Sequence, residues 1–177
     1  MVIAKPFRAL VVLAAVTAGV AAVSSCGAPG PAAAEPSSGC AVWDRLVEKV
    51  VGASVNELGG PHPALGDSSA YVAELRDATG AKVGSITGRT DIAHRLAGGG
   101  LQEHLVETVE LPGGTILAQG VYDPVRKAAG DRQRVGVVGT RGGYTGHLGD
   151  RYAQAVGPDE FAVRIEMCPP GMLRSGR

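Results

Sequence analysis

The chain alternates short extended segments with glycine-containing turns over most of its length, and this alternation limits the folds open to it. Apolar and polar residues alternate over residues 69–76, 82–92, 101–111, 115–122, 134–138, 151–156 and 161–167. Turn sequences such as Asp77-Ala78-Thr79-Gly80 and Pro112-Gly113-Gly114 separate these segments. A period of two is typical of strands with one buried face. About seven or eight short strands at regular spacing predict an all-β barrel or sandwich.

The start of this pattern is ambiguous. Residues 46–55 can form a short amphipathic helix that runs into a strand, or a strand alone, because Val50 and Val51 favour extended structure. The sequence Gly59-Gly60-Pro61-His62-Pro63 then breaks the segment. We expect the folded domain over residues 41–170 and a C-terminal tail over residues 171–177.

The N-terminal residues have the layout of a secretory signal. Lys5 and Arg8 precede an uncharged apolar run over residues 9–23. Val23-Ser24-Ser25-Cys26 then resembles a bacterial lipobox, in which the chain is cut before a cysteine that carries the lipid. Cleavage after Ala32-Ala33-Ala34 would instead release a soluble secreted protein. The sequence predicts export of the protein, with residues 1–25 as the signal peptide.

Lipidation at Cys26 would anchor the chain to the outer face of the cell membrane. Residues 26–40, rich in Pro, Ala, Gly and Ser, are expected to form a flexible tether. Cys40 and Cys168 then remain as a pair in an oxidising compartment, although two unrelated buried thiols are the alternative. Cys40 precedes the first strand and Cys168 follows the last. In a closed up-and-down barrel with an even number of strands these ends are neighbours, so the cysteines favour a closed antiparallel barrel of about eight strands.

Composition and motifs exclude several classes of function. The 17 basic and 17 acidic residues cancel, and aromatic residues make up 4% of the chain, so nucleic-acid binding is not expected. The four histidines have no spacing suited to joint metal ligation, and no metal is predicted. The glycine cluster over residues 139–149 lacks the Lys-Ser/Thr ending of a phosphate loop and is expected to be a wide turn.

The apolar faces of the strands would form the barrel interior, either as a packed core or as the wall of a cavity. Small residues at positions 73, 118, 120, 153 and 155 favour a cavity because they leave space unfilled. The predicted ligand-binding residues are Tyr71, Leu75, Leu105, Tyr122, Val135 and Met167.

Two carboxylates fall on one apolar strand face. Glu103 and Glu107 share a face with Leu101, Leu105 and Val109. A buried carboxylate needs partners or becomes neutral, and such a group can orient a substrate or transfer a proton. Alternatively, each lies solvated near a barrel mouth or pairs with an arginine. Glu107 is the candidate catalytic residue because it lies nearer the middle of its strand.

Three segments resemble the allene oxide cyclase-like barrel family, which is related in fold to the dirigent proteins. Residues 71–84 form a strand, turn and strand ending in Val-Gly, residues 111–120 are similar to the family's "L-x-G-G-x-I-x-A-x-G" hairpin, and residues 138–146 are similar to "V-x-G-G-T-G-x-Y-x-G". Within the family, the layout is similar to the barrels that cyclise spirotetronate polyketides by [4+2] addition. Those pockets carry several aromatic residues, whereas the inward positions here include Leu105, Val135, Ala153 and Ala155.

The resemblance implies a cofactor-free cyclase or isomerase that holds a linear polyene in an apolar interior. Together with the export signal, it leads us to expect an exported barrel that binds a hydrophobic small molecule. The alternative is a non-catalytic cell-surface lipoprotein that carries or sequesters an apolar ligand. A homodimer is compatible with both.

Overall fold

The computed structural model describes residues 39–59 and 63–172. The predicted signal peptide, Cys26, and the tether up to residue 38 lie outside the described residues. The described chain forms eight strands and one short helix: β1 (Ala41–Asn56), β2 (Ser68–Arg76), β3 (Lys82–Arg95), β4 (Leu101–Leu111), β5 (Gly114–Tyr122), α1 (Pro124–Ala128), β6 (Gln133–Gly142), β7 (Leu148–Gly157) and β8 (Glu160–Cys168).

The eight strands form one closed barrel. Each strand pairs in antiparallel fashion with the next along the chain, and β8 pairs with β1. The closing register runs from Ala41 opposite Met167 to Lys49 opposite Glu160. The prediction of an all-β, closed antiparallel up-and-down barrel is confirmed. Successive side chains of each strand point alternately into the barrel and out to solvent, as the period of two requires.

The first strand resolves the ambiguity over residues 46–55, which are extended throughout. Its register shifts between Trp43 and Leu46 and again between Val50 and Gly52. Such bulges bend a strand and change which residues face inward. As a result Leu46 and Glu48 are both buried in the barrel.

The short helix α1 was not predicted, because five residues are too few to show a helical period. Asp123 caps it by accepting hydrogen bonds from the backbone N–H groups of Val125 (2.9 Å) and Arg126 (3.2 Å). Pro124 occupies the first turn, where its missing N–H costs nothing. Among the described residues, no helix is long and apolar enough to cross a bilayer.

One end of the barrel is packed shut. Its core consists of fully buried side chains from five strands: Leu75, Ile86, Val109, Ile116, Ile165 and Met167. The turn between β6 and β7 adds Tyr144, whose hydroxyl donates to the Pro112 carbonyl (2.6 Å) and accepts from Trp43 Nε1 (3.3 Å). A Cβ at Gly139 would collide with the Tyr144 backbone, so the turn can pack this closely only over glycine. We call this the closed end.

A disulfide joins Cys40 and Cys168 at the closed end. Their Cα atoms are 4.1 Å apart although 128 positions separate them in the sequence. It lies where β1 and β8 meet, so it links the two strands that close the barrel. The opposite end of the barrel, which we call the mouth, is formed by the ends of β1, β3, β5 and β7 and by α1.

Candidate functional site

A cavity of about 200 Å³ occupies the barrel interior toward the mouth. At ~15 Å³ for each water, it has room for roughly a dozen waters. Typical pockets for drug-sized ligands measure about 300–1,000 Å³. The cavity therefore suits a compact ligand, or one end of a longer ligand that extends through the mouth. Small side chains on three inward positions create the space: Ala53, Ala153 and Ala155.

The predicted ligand-binding residues divide between the cavity and the closed end. Tyr71, Leu105, Tyr122 and Val135 lie on the cavity wall. Leu75 and Met167 do not lie on that wall. They are 0% exposed within the closed-end core, because they lie further along their strands toward that end. Ala73 and Ala118 are likewise buried in packing, and the Val135 side chain fills the space beside Gly120.

Glu107 lies at the inner part of the cavity and is 1% exposed. It accepts a hydrogen bond from the Tyr71 hydroxyl at Oε1. Gly88 of β3 lies between the two residues in the register, opposite Tyr71 on one side and opposite Glu107 on the other. A Cβ at Gly88 would collide with the Tyr71 ring. The Tyr71 side chain therefore reaches Glu107 by lying across a residue that has no side chain.

Arg151 and Glu48 complete the polar cluster, and neither was predicted as a site residue. Arg151 is 4% exposed and donates from Nη2 to Glu48 Oε2. Its Nε lies 3.3 Å from Glu107 Oε2. We call Tyr71, Glu107, Arg151 and Glu48 the inner cluster. A sequence signal was present, since Glu48 alternates with Leu46 and Val50, and Arg151 alternates with Ala153 and Ala155.

Burial and charge set the protonation of the inner cluster. Burial raises the pKa of the Glu48 carboxyl, Glu107 adds to this effect, and Arg151 opposes it. Burial, followed by the Glu107 charge, also raises the pKa of Tyr71, which remains a neutral hydrogen-bond donor. Burial disfavours the charge on Arg151, but the negative charges of Glu107 and Glu48 outweigh it and raise the pKa of the guanidinium. Arg151 therefore stays positive between two carboxyl groups.

A second cluster of polar side chains lies at the mouth. Lys127 of α1 donates from Nζ to the Tyr122 hydroxyl (3.0 Å), lies 3.7 Å from Glu103 Oε2, and is 4.8 Å from the centre of the Tyr122 ring. Burial raises the pKa of Tyr122, and the charge of Glu103 raises it further. Glu103 thus lies near the mouth and pairs with a lysine.

Exposed aliphatic side chains stand at the same end of the barrel. Val55, Leu58, Val125 and Val156 are between 57% and 65% exposed. Their positions follow from the topology, since β1 and β7 end at the mouth and α1 joins β5 to β6 there. The rim of the cavity therefore carries exposed apolar side chains.

Within residues 39–59 and 63–172, no three His, Cys, Asp or Glu side chains are grouped so that they could hold a metal ion. The inner cluster supplies buried polar groups to the cavity. A carbonyl or similar group of a ligand could approach two carboxyl groups, a phenol and a guanidinium, while its hydrocarbon part contacts Leu105, Val135 and Phe161.

Solved structures with the same fold include several cyclases. The barrel is similar to the Diels–Alderase AbmU from Streptomyces koyangensis, at 24% identity and a TM-score of 0.67, over 72% of this chain and 63% of that one. It is similar to a nonspecific heme-binding cyclase that catalyses a [4 + 2] cycloaddition during neoabyssomicin biosynthesis, at 24% identity and a TM-score of 0.68, over 73% and 64% of the two chains. This chain thus spans less than two thirds of the length of either protein.

A third structure, AbnU, is described as an exo-specific intermolecular Diels–Alderase. It is 26% identical, with a TM-score of 0.68 over 73% of this chain and 96% of its own. A search of curated proteins found no significant match. The family model of the allene oxide cyclase barrel like domain matches residues 47–166, which span β1 to β8 and include the whole inner cluster. The chain therefore belongs to the allene oxide cyclase barrel like family.

Proposed function

We propose that the protein binds an apolar small molecule in its cavity and converts it, without a cofactor, into a cyclised or isomerised product. The observation that carries this proposal is the inner cluster, a set of buried ionisable groups on the wall of a cavity whose surface is mainly apolar. Buried charge is costly, and a structural core of this size does not need it. Perturbed ionisable groups in a concave site are the usual mark of a functional site.

Confinement would supply the main catalytic effect. A flexible chain folded against Leu105, Val135 and Phe161 loses conformational freedom before it reacts, which brings its reacting carbons together. Arg151, which has further N–H donors, can then polarise a carbonyl on the same molecule. The likeness to cyclases that carry out [4 + 2] cycloadditions makes that reaction the first to test.

The test is incubation with a linear polyene that carries a diene and an activated alkene. We expect a product of unchanged mass and new retention time, formed faster than in buffer. Ala153→Phe, which fills the cavity, should abolish the acceleration. Ala162→Phe places the same side chain on the exposed face of β8 and serves as the matched control. Equal product formation with and without the wild-type protein would exclude this cyclase activity.

Carriage of an apolar ligand is a second candidate, favoured by the exposed aliphatic side chains around the mouth. Such a rim can contact a lipid surface or a hydrophobic partner while a ligand passes into the cavity. A carrier and a cyclase give different results in the same experiment. A carrier binds the polyene, loses binding in Ala153→Phe, and returns the polyene unchanged.

We further propose that the protein is exported and anchored by a lipid on Cys26. The basic and apolar order of residues 5–23 supports export, as does the Cys40–Cys168 disulfide, since such bonds persist in oxidising compartments. Fractionation of cells that express the full chain tests this. Cys26→Ser should move the protein out of the membrane fraction. A mature N-terminus after Ala34 would instead establish secretion without a lipid.

A further inference from the structure

The inner cluster contains more potential negative charge than positive charge. Arg151 contributes one positive charge, while Glu48 and Glu107 can each contribute one negative charge. The remaining cation on the cavity wall, Lys127, lies at the mouth, 3.7 Å from Glu103. Arg151 can therefore neutralise only one of the two inner carboxylates.

A retained proton is the simplest way to remove the excess charge, because two like carboxylates in a buried site do not both ionise readily. The hydrogen bonds decide which of them keeps it. Glu107 accepts a hydrogen bond from Tyr71 and lies beside Arg151 Nε, so it has two polar partners. The Glu48 carboxyl accepts a hydrogen bond from Arg151, and burial raises the pKa of this carboxyl. Arg151, Glu107, Tyr71 and Lys127 are the charged or titratable groups around Glu48.

We propose that the cavity catalyses keto–enol proton transfer on an apolar carbonyl compound, with Glu107 as the general base and Glu48 as the general acid. The inference rests on the proposed binding of an apolar ligand in the cavity. Glu107 removes a proton from the carbon next to the carbonyl, and the C–H electron pair forms the C=C bond. The C=O π electrons move to oxygen, which takes the proton from Glu48. The product is an enol of unchanged mass, and the two residues exchange protonation states.

Geometry supports this division of roles. Both carboxyl groups belong to the cavity wall, on β1 and β4, with Arg151 between them. Glu107 Oε2 lies 3.3 Å from Arg151 Nε but makes no hydrogen bond within the described chain, so a lone pair of this oxygen remains for a proton. Gly88 lets Tyr71 hold the other oxygen in place. Return of the proton to a different carbon of a conjugated ligand would shift a double bond, which is isomerisation in the sense of the proposed function.

Deuterium uptake tests the proposal. A linear medium-chain 3-oxo ester is incubated with the full-length protein in D₂O, and exchange at its α-carbon is followed by NMR. We expect faster exchange than in buffer and a bell-shaped pH profile, because one group must be ionised and the other protonated. Glu107→Gln should lower the rate about 100-fold. Glu48→Gln should remove the fall in exchange rate on the alkaline side of this pH profile. Glu110→Gln, on the exposed face of β4, is the control expected to retain the wild-type rate.

In Glu48→Gln and in Glu107→Gln, one carboxylate remains to pair with Arg151, so both variants are expected to fold. Displacement of an apolar dye by the ester then shows whether each variant still binds the ester. Binding of the ester without accelerated exchange would overturn the proton-transfer proposal and leave the proposed binding function intact. Absence of ester binding in the wild-type protein would overturn both proposals. A wild-type pH profile in Glu48→Gln would remove Glu48 from the mechanism.

Discussion

Arg151 places a positive charge in the inner part of the cavity, beside the two carboxyl groups of Glu48 and Glu107. Removing one partner of a buried ion pair leaves an uncompensated charge, which typically costs about 3–5 kcal/mol. We therefore expect Arg151→Met to lower the free energy of unfolding by that amount, measured by urea denaturation at neutral pH. Arg164→Met breaks the exposed pair with Glu166 and should cost less than about 1 kcal/mol. Equal losses in the two variants would show that Glu48 and Glu107 do not need Arg151.

Gly88 controls the position of Tyr71. Because a Cβ would collide with the ring, Gly88→Ala should displace it and break its hydrogen bond to Glu107. We expect a loss of about 1–3 kcal/mol in stability, as for other overpacked sites. Gly136→Ala is the control, since a Cβ there meets only ordinary van der Waals contact. A crystal structure of Gly88→Ala with the Tyr71–Glu107 bond intact would contradict this prediction.

At the residue level the sequence identified part of the site. Tyr71 and Glu107 could be found because each is a polar or amphipathic residue on an apolar strand face. Glu48 follows the same logic, but its segment was ambiguous between helix and strand, and the bulges of β1 decide its direction. Arg151 was missed because the pattern along one strand does not show which carboxylate on another strand an arginine will contact across the barrel.

Among the elements, strands could be predicted well because their period of two is visible in a single segment. The predicted strand over residues 101–111 coincides with β4, and the others differ by a few residues at their ends. The predicted wide turn over residues 139–149 is shorter in the structure, since β6 continues to Gly142 and β7 starts at Leu148. Glycine-rich sequence predicts a turn, but cross-strand pairing decides where the strands end.

The β1–β8 seam is the element contact that a disulfide reinforces. A loop of this length corresponds to about 4–5 kcal/mol in the chain-entropy description of crosslinks. We expect the double variant Cys40→Ser/Cys168→Ser to remain a barrel by circular dichroism but to melt at a lower temperature. A reductant should lower the melting temperature of the wild-type protein to the same value and leave the variant unchanged. Identical melting temperatures for oxidised wild type and variant would show that the bond adds no stability.

At the scale of the whole molecule, the sequence predicted the closed barrel but not how far the cavity extends along it. Leu75 and Met167 lie on the same strand faces as residues that line the cavity, yet they are packed into the closed end. A strand's pattern shows which face is inward and carries no information about height along the barrel. That height depends on the register of all eight strands and on the Tyr144 turn.

The stability of the molecule should depend on pH through Glu48. Its pKa is raised above 4.5 in the folded protein, so the folded state holds more protons than the unfolded state between the two pKa values. The free energy of unfolding therefore falls as pH rises through this window. We expect Glu48→Gln to remove that slope in urea unfolding measured across a pH series. Parallel pH dependences for wild type and variant would rule Glu48 out as its source.

Both described chain ends, at Gly39 and Met172, leave the barrel beside the Cys40–Cys168 bond, at the end opposite the mouth. A fusion made directly at Gly39 or Met172 is thus attached at the closed end, away from the mouth. A barrel immobilised on a solid support, or displayed on a particle, through either of these two residues keeps its mouth unobstructed. Such a preparation would present the cavity, rather than the disulfide, to a flowing solution.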